Sequence, residues 1–227
     1  MRSLFVARKN LLEQPVRLVI SAGGVALAVM LILVMWAILE GIIGQAGTYV
    51  RNTDAQVWIV QKGFTDIAHG FSVVPAGLER RLEAVPGVRR ASPITGARTE
   101  VETAGGKDAV AIIGYDTRTG VGGPWRYATR RKVPRRGEIV VDETFARTSG
   151  LEVGDTMSLP DRPRRIVALS ADTNQFTNQL AFGELADVRS LVRLRGDVNF
   201  FAVQVEPGRQ RAVAEAVGRG IRGVSAF

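Results

Sequence analysis

The sequence predicts one membrane-spanning helix followed by an α+β domain with an inserted β-rich subdomain. That class follows from a single long apolar run near the N-terminus, strand–helix–strand order at both ends of the remainder, and a middle of short strands and Gly/Pro joints. The apolar run, Leu18 to Leu39, covers 22 positions without a charge. A helix of that length rises roughly 33 Å, enough to cross the hydrocarbon core of a bilayer. Pro15 and Arg17 precede it and Glu40 closes it. No second run of comparable length follows, and a mean hydropathy of +0.08 over the chain argues against several spans.

The flanks orient the span. Residues 1–17 carry Arg2, Arg8, Lys9 and Arg17 against Glu13, whereas the ten residues after Glu40 hold no basic side chain. This places the N-terminus in the cytoplasm and the chain from about residue 41 outside it. A cleaved signal peptide is the competing reading, but its apolar region usually covers only about 7–15 residues. Before the span, Leu4, Phe5, Leu11 and Leu12 alternate with Arg8 and Lys9 in a loosely helical pattern. Residues 1–17 are therefore expected to form a cytoplasmic amphipathic segment on the inner headgroups, broken at Pro15. The span is assigned to 18–40 and the extracytoplasmic domain to 41–227, with the inserted subdomain at roughly 115–165. Within the span, Gly24 and Ala28 stand four apart, a small-xxx-small pair that suits close approach of another helix.

In the exported part, Gln56–Val60 reads as a strand. Pro75 to Val85 reads as a helix with proline in its first turn and Gly87 after its end. Ala97–Thr103 and Ala109–Gly114 flank a glycine turn and predict a hairpin. Glu138–Val141 is a short apolar strand, after which Asp142 caps a helix to Ser149 that Gly150 stops. Gly154-Asp155 reads as a turn into a strand near Thr156. Arg165–Ser170 predicts a strand, Gly183–Leu194 a helix, Phe200–Val205 a strand and Gly208–Gly218 a helix.

Several chemistries are excluded. The chain has no cysteine and one histidine, His69, so it offers no thiol nucleophile, no disulfide scaffold and no His- or Cys-rich metal centre. No phosphate-binding loop, nucleophile elbow or dinucleotide fingerprint is present. His69 reads as a loop histidine, and the neighbours Asp142 and Glu143 as a helix cap and first-turn charge rather than an acid–base pair. No catalytic, cofactor-binding or metal-ligating residues are assigned, and no cofactor is expected.

One charge cluster stands out. Arg126, Arg130, Arg131, Lys132, Arg135 and Arg136 place six positive charges in 11 residues of a chain whose net charge is +8. Outside the cytoplasm, with only Trp125 and Tyr127 beside them, nucleic acid is not the expected partner. The run reads as a solvated loop, or as a contact with lipid or an acidic partner.

The order of these pieces resembles the MacB/FtsX-like ABC-transporter permeases. Ala7–Arg17 followed by one span is similar to the start of that family, and Val57–Gly63 to its first exported strand. Leu82–Val88 and Pro93 resemble its helix end, and Gly114-Tyr115-Asp116 a strand end. The best match is Gly137–Asp142, Ala146 and Gly150–Asp155, followed by the strand Arg165–Ala168. The matching residues are scaffold positions, so the resemblance implies architecture and not an active site.

Family members carry three further spans and a cytoplasmic loop that engages the ATPase. The chain ends at Phe227, where the exported domain would be finishing, so a truncated or split permease, or a single-span relative, is expected. The resemblance implies a non-enzymatic permease subunit in the inner or plasma membrane, transmitting motion from a separate ATPase to the external domain. Export or extraction of a lipid-like or hydrophobic substrate would follow. A second permease copy, or the missing C-terminal part, and membrane lipid are the other partners implied. The alternative is a single-span, membrane-anchored extracytoplasmic binding or adaptor protein without transport activity.

Overall fold

The computed structural model describes residues 15–64, 72–103, 106–174 and 179–227. The chain divides into two units at Gln45/Ala46, each considered by itself. The first contains helix α1, Pro15–Ala46, whose stretch Val19–Glu40 is long and apolar enough to cross a membrane. Apolar residues surround the helix on all sides and every side chain from Val19 to Glu40 is exposed, which suits a lipid solvent rather than water. The predicted amphipathic segment 1–17 falls mostly on residues 1–14, outside the described residues, as does His69.

The second unit is built on a nine-stranded mixed sheet in the order β11-β1-β10-β3-β4-β8-β5-β7-β6. Its strands are β1 Val57–Gln61, β3 Val88–Thr103, β4 Gly106–Tyr115, β5 Glu138–Asp142, β6 Thr156–Met157, β7 Arg164–Ser170, β8 Gln179–Glu184, β10 Phe200–Val205 and β11 Val224–Ala226. The short strands β2, Val74–Pro75, and β9, Asp197–Val198, pair separately. Neighbours are antiparallel except β4 with β8 and β5 with β7. The expected hairpin is β3–β4, in register from Ile94↔Tyr115 to Thr103↔Gly106. The chain between β4 and β8 adds β5, β7 and β6 to one end of the sheet.

Strand alternation sorts the side chains into three cores. Val57 and Ile59 of β1, with Phe201 and Val203 of β10, face helices α3 (Glu79–Glu83) and α6 (Gln210–Gly220) through Leu82, Val213 and Val217. On the same side, Val110, Ile112, Ile139 and Ile166 meet α4 (Glu143–Ser149) and α5 (Leu185–Leu191) through Phe145 and Val188. The opposite face gathers Trp58, Ile113, Tyr115, Phe182 and Phe200. Both faces are covered at the centre, so residues 91–97 of β3 are buried without a break.

Most of the predicted elements lie within a few residues of their observed bounds. Asp142 caps α4 by accepting a hydrogen bond from Thr144 N at 2.8 Å, and Gly150 ends it in the left-handed region at φ +68°. Asp155 closes its turn by accepting from Glu152 N at 2.8 Å. One expectation fails: Gly183 does not open a helix but belongs to β8, and α5 starts only at Leu185. Glu184 is the cap, accepting from Ala186 N at 3.0 Å and Asp187 N at 2.9 Å. The physical reason for glycine here is close approach. Gly183 pairs with Gly114 across β4–β8, and a Cβ at either would stand 3.0 or 2.6 Å from the Val188 side chain. The glycine pair lets α5 settle onto the sheet.

Candidate functional site

The face of the sheet opposite α3–α6 is closed by aromatic side chains from connecting segments. Helix α2, Thr48–Asn52, brings Tyr49 against Trp58 at a ring-centroid separation of 5.9 Å and against Trp125 at 6.4 Å. Trp125 meets Phe182 edge-on at 6.4 Å. The Tyr49 hydroxyl donates to the Gly122 carbonyl at 2.9 Å. A Cβ at Gly122 would stand 2.7 Å from Ile94 Cδ1 and 3.0 Å from that hydroxyl, and φ there is +85°. Only glycine fits. Burial pushes the Tyr49 phenol well above the usual tyrosine range, with the Thr53 hydrogen bond opposing. Burial does the same to Tyr115, reinforced by Tyr127. Neither phenol is tuned toward proton transfer at neutral pH.

Directly after Trp125 comes the basic run. Its first part lies against the end of β7: Ala128 N donates to Leu169 O at 2.9 Å, Leu169 N to Thr129 Oγ1 at 2.9 Å, and Ala171 N to Arg126 O at 3.1 Å. All six basic side chains are exposed. Arg126 pairs with Asp172, Lys132 stands 3.7 Å from Glu138, and the Arg131 guanidinium lies 5.9 Å from the Tyr127 ring centroid. Arg130, Arg135 and Arg136 make no ion pair among the described residues.

The far end of the run is fixed by buried charge. Gly137 N donates to Asp187 Oδ2 at 3.1 Å. Asp187, fully buried at the start of α5, also accepts from Arg164 Nε at 2.9 Å and pairs with Arg162. Arg164 in turn forks onto Asp161, with Nη1–Oδ1 at 2.7 Å and Nη2–Oδ2 at 2.9 Å. The Arg164 hydrogen bonds hold the Asp161 carboxyl below its ordinary range, against partial desolvation. Arg164 is itself 1% exposed, so its charge is viable only because carboxylates and carbonyls surround it. This cluster ties β7, α5 and the base of the basic run together.

The described residues also line two surface cavities. One of about 680 Å³ is bordered by Arg189 of α5 and by Arg193, Leu194 and Arg195 just beyond it. The other, about 430 Å³, is lined by Glu79, Glu83, Arg89, Arg90, Asp116 and Arg118. There the Arg118 hydrogen bond lowers the Asp116 carboxyl, while burial raises that of Glu79. Among the described residues no three His, Cys, Asp or Glu side chains gather as metal ligands. Gly24 and Ala28 lie on exposed α1, with nothing within 4 Å of a Cβ placed at Gly24. Sequence reasoning located the six basic residues but missed the Tyr49 contact and the Asp187–Arg164 pair, whose members are distant in the chain.

The second unit is thus a mixed α/β sheet domain. Solved structures share it. The periplasmic region of MacB from Actinobacillus actinomycetemcomitans superimposes with a TM-score of 0.58 at 10% identity, covering 80% of this chain and 92% of that one. The extracellular domain of the noncanonic ABC-type transporter YknZ from Gram-positive bacteria does so with a TM-score of 0.57 at 8% identity, covering 75% and 98%. No match was found among curated protein sequences.

The family model described as the MacB-like periplasmic core domain matches residues 18–219, and the chain belongs to that family. Its relatives include the external domain of an ABC-type transporter. With one apolar helix ahead of an external-type domain, the protein is membrane-anchored.

Proposed function

We propose that the chain is the N-terminal portion of a transmembrane permease subunit of an ABC transporter, seated in the cell membrane with its N-terminus in the cytoplasm. A separate cytoplasmic ATPase closes on ATP, the spans carry that motion outward, and the external domain moves a lipid-like or hydrophobic substrate. The observation that carries this reading is the family match over residues 18–219, which takes in the span and the domain together. The Tyr49 contact supports it: a residue just past the end of α1 is bonded to Gly122 and packed on Trp58, so displacement there reaches the sheet directly. Gly24 and Ala28 supply a face for a second permease copy or for the remaining permease spans.

The test is co-expression with the coding region downstream of residue 227, followed by isolation from membranes. Membrane association, co-purification of an ATPase and ATP turnover that responds to the permease are expected. Finding neither membrane association nor an associated ATPase would refute the proposal. The exposed run at 126–136 favours a second reading, an anchored adaptor that holds a partner at the membrane surface. Charge reversal there abolishes partner or lipid binding under the adaptor reading and leaves ATPase coupling largely intact under the permease reading.

A further inference from the structure

Beyond that function, we propose that residues 130–136 form a docking loop for an anionic phospholipid surface, holding the external domain against the membrane that anchors it. Both ends of the loop are fixed to the sheet. Residues 128–129 are hydrogen-bonded to Leu169, and Gly137 is held by buried Asp187. Between those points the guanidinium groups of Arg130, Arg135 and Arg136, without an ion pair among the described residues, face solvent.

Val133 lies among them and is 40% exposed. Outside α1, the described residues offer only three other exposed large apolar side chains: Val73, Val153 and Phe227. An apolar side chain flanked by arginines suits the interface of a charged bilayer. The valine enters the acyl boundary while the arginine stems lie flat and their guanidinium groups reach phosphate. A soluble acidic protein would satisfy the charges but gives no reason for Val133.

The tether makes this surface available. Tyr49 is hydrogen-bonded to Gly122 and packed on Trp125, the residue that opens the basic run. The loop belongs to a domain that follows a membrane-spanning helix in the same chain, so lipid is always at high local concentration.

The native chain has no cysteine, so Val133→Cys creates a unique labelling site in the full protein. The variant, carrying an environment-sensitive fluorophore, is reconstituted into nanodiscs of phosphatidylcholine with or without phosphatidylglycerol. Blue-shifted emission and quenching by a lipid-borne quencher are expected only with phosphatidylglycerol, and are reversed near 1 M salt, where the screening length is about 3 Å. Partitioning of the loop should weaken about fivefold for each arginine neutralised. It should vanish in the Arg130→Glu, Arg135→Glu, Arg136→Glu background, with an unchanged circular dichroism spectrum showing that the variant is folded. Emission that stays water-like in both discs, or responds equally to both, overturns the proposal. Protection that appears only on adding cell extract, without anionic lipid, also overturns it and assigns the loop to an acidic protein partner. The readout needs no ATPase, so its outcome is independent of the permease reading.

Discussion

The protein uses arginine in two opposite ways on either side of Gly137. Arg130, Arg135 and Arg136 are exposed and unpaired among the described residues, whereas Arg164 is 1% exposed and engages Asp161, Arg162 and Asp187 through five hydrogen bonds, two of them to carbonyls. The basic side chains of the dense run lie exposed, while Arg164 at the start of β7 is buried and holds two parts of the fold together. Charge density in a sequence reports what faces solvent. Pairing, which only the fold reveals, decides which charge is structural.

The largest effect expected from that contrast is at Arg164. Arg164→Ala leaves buried Asp187 with only Arg162 and Gly137 N, and should cost about 3 kcal/mol. A large fall in the thermal midpoint would show it, and a loss within experimental error would mean that the cluster is not structural. On the aromatic face, Gly122→Ala forces a Cβ to within 2.7 Å of Ile94 at a left-handed φ, and should cost about 2 kcal/mol by denaturant titration. Tyr49→Phe removes one hydrogen bond and keeps the ring, for a loss of about 1 kcal/mol.

Acid titration sharpens the buried side of the comparison. The Asp161 carboxyl is lowered by its Arg164 hydrogen bonds, so its contribution is fully present above the ordinary carboxylate range near about 3.9 and is lost as pH falls through the depressed value. Glu79, raised mainly by burial, has the opposite sign and destabilises the native state as pH rises through its folded value. The difference in thermal midpoint between the native chain and Asp161→Asn isolates the first effect. It should be modest, because Asp161 is partly exposed and screened, and should shrink toward zero as pH falls through the depressed value. The smallest effect is expected from the triple change of Arg130, Arg135 and Arg136 to Ala, which should leave stability within about 0.5 kcal/mol.

Periodicity and punctuation made much of the fold legible. Val57–Val60 and Phe200–Val205 alternate between two cores as their spacing implies, and Asp142 and Gly150 mark the bounds of α4 as read. The strand β8 was not legible, because Gln179–Glu184 contains two small residues, Ala181 and Gly183, and runs straight into a helical pattern. Its glycine answers to Val188 and to Gly114, and the pairing with Gly114 lies outside any local window. The candidate site divides in the same way. A run of six basic residues is visible to composition, but Tyr49 bonding to Gly122 across 73 positions and Arg164 reaching Asp187 across 23 depend on tertiary placement.

The account rests on residues after the span lying outside the cytoplasm, and cysteine-free sequence makes that directly measurable. Single cysteines are introduced at Ser3, before the span, and at Arg211, an exposed position on α6, and intact cells are treated with a membrane-impermeant maleimide. Arg211→Cys should label in intact cells and Ser3→Cys only after permeabilisation. Labelling of Ser3→Cys from outside, with Arg211→Cys protected until the membrane is opened, would contradict the external placement of the domain.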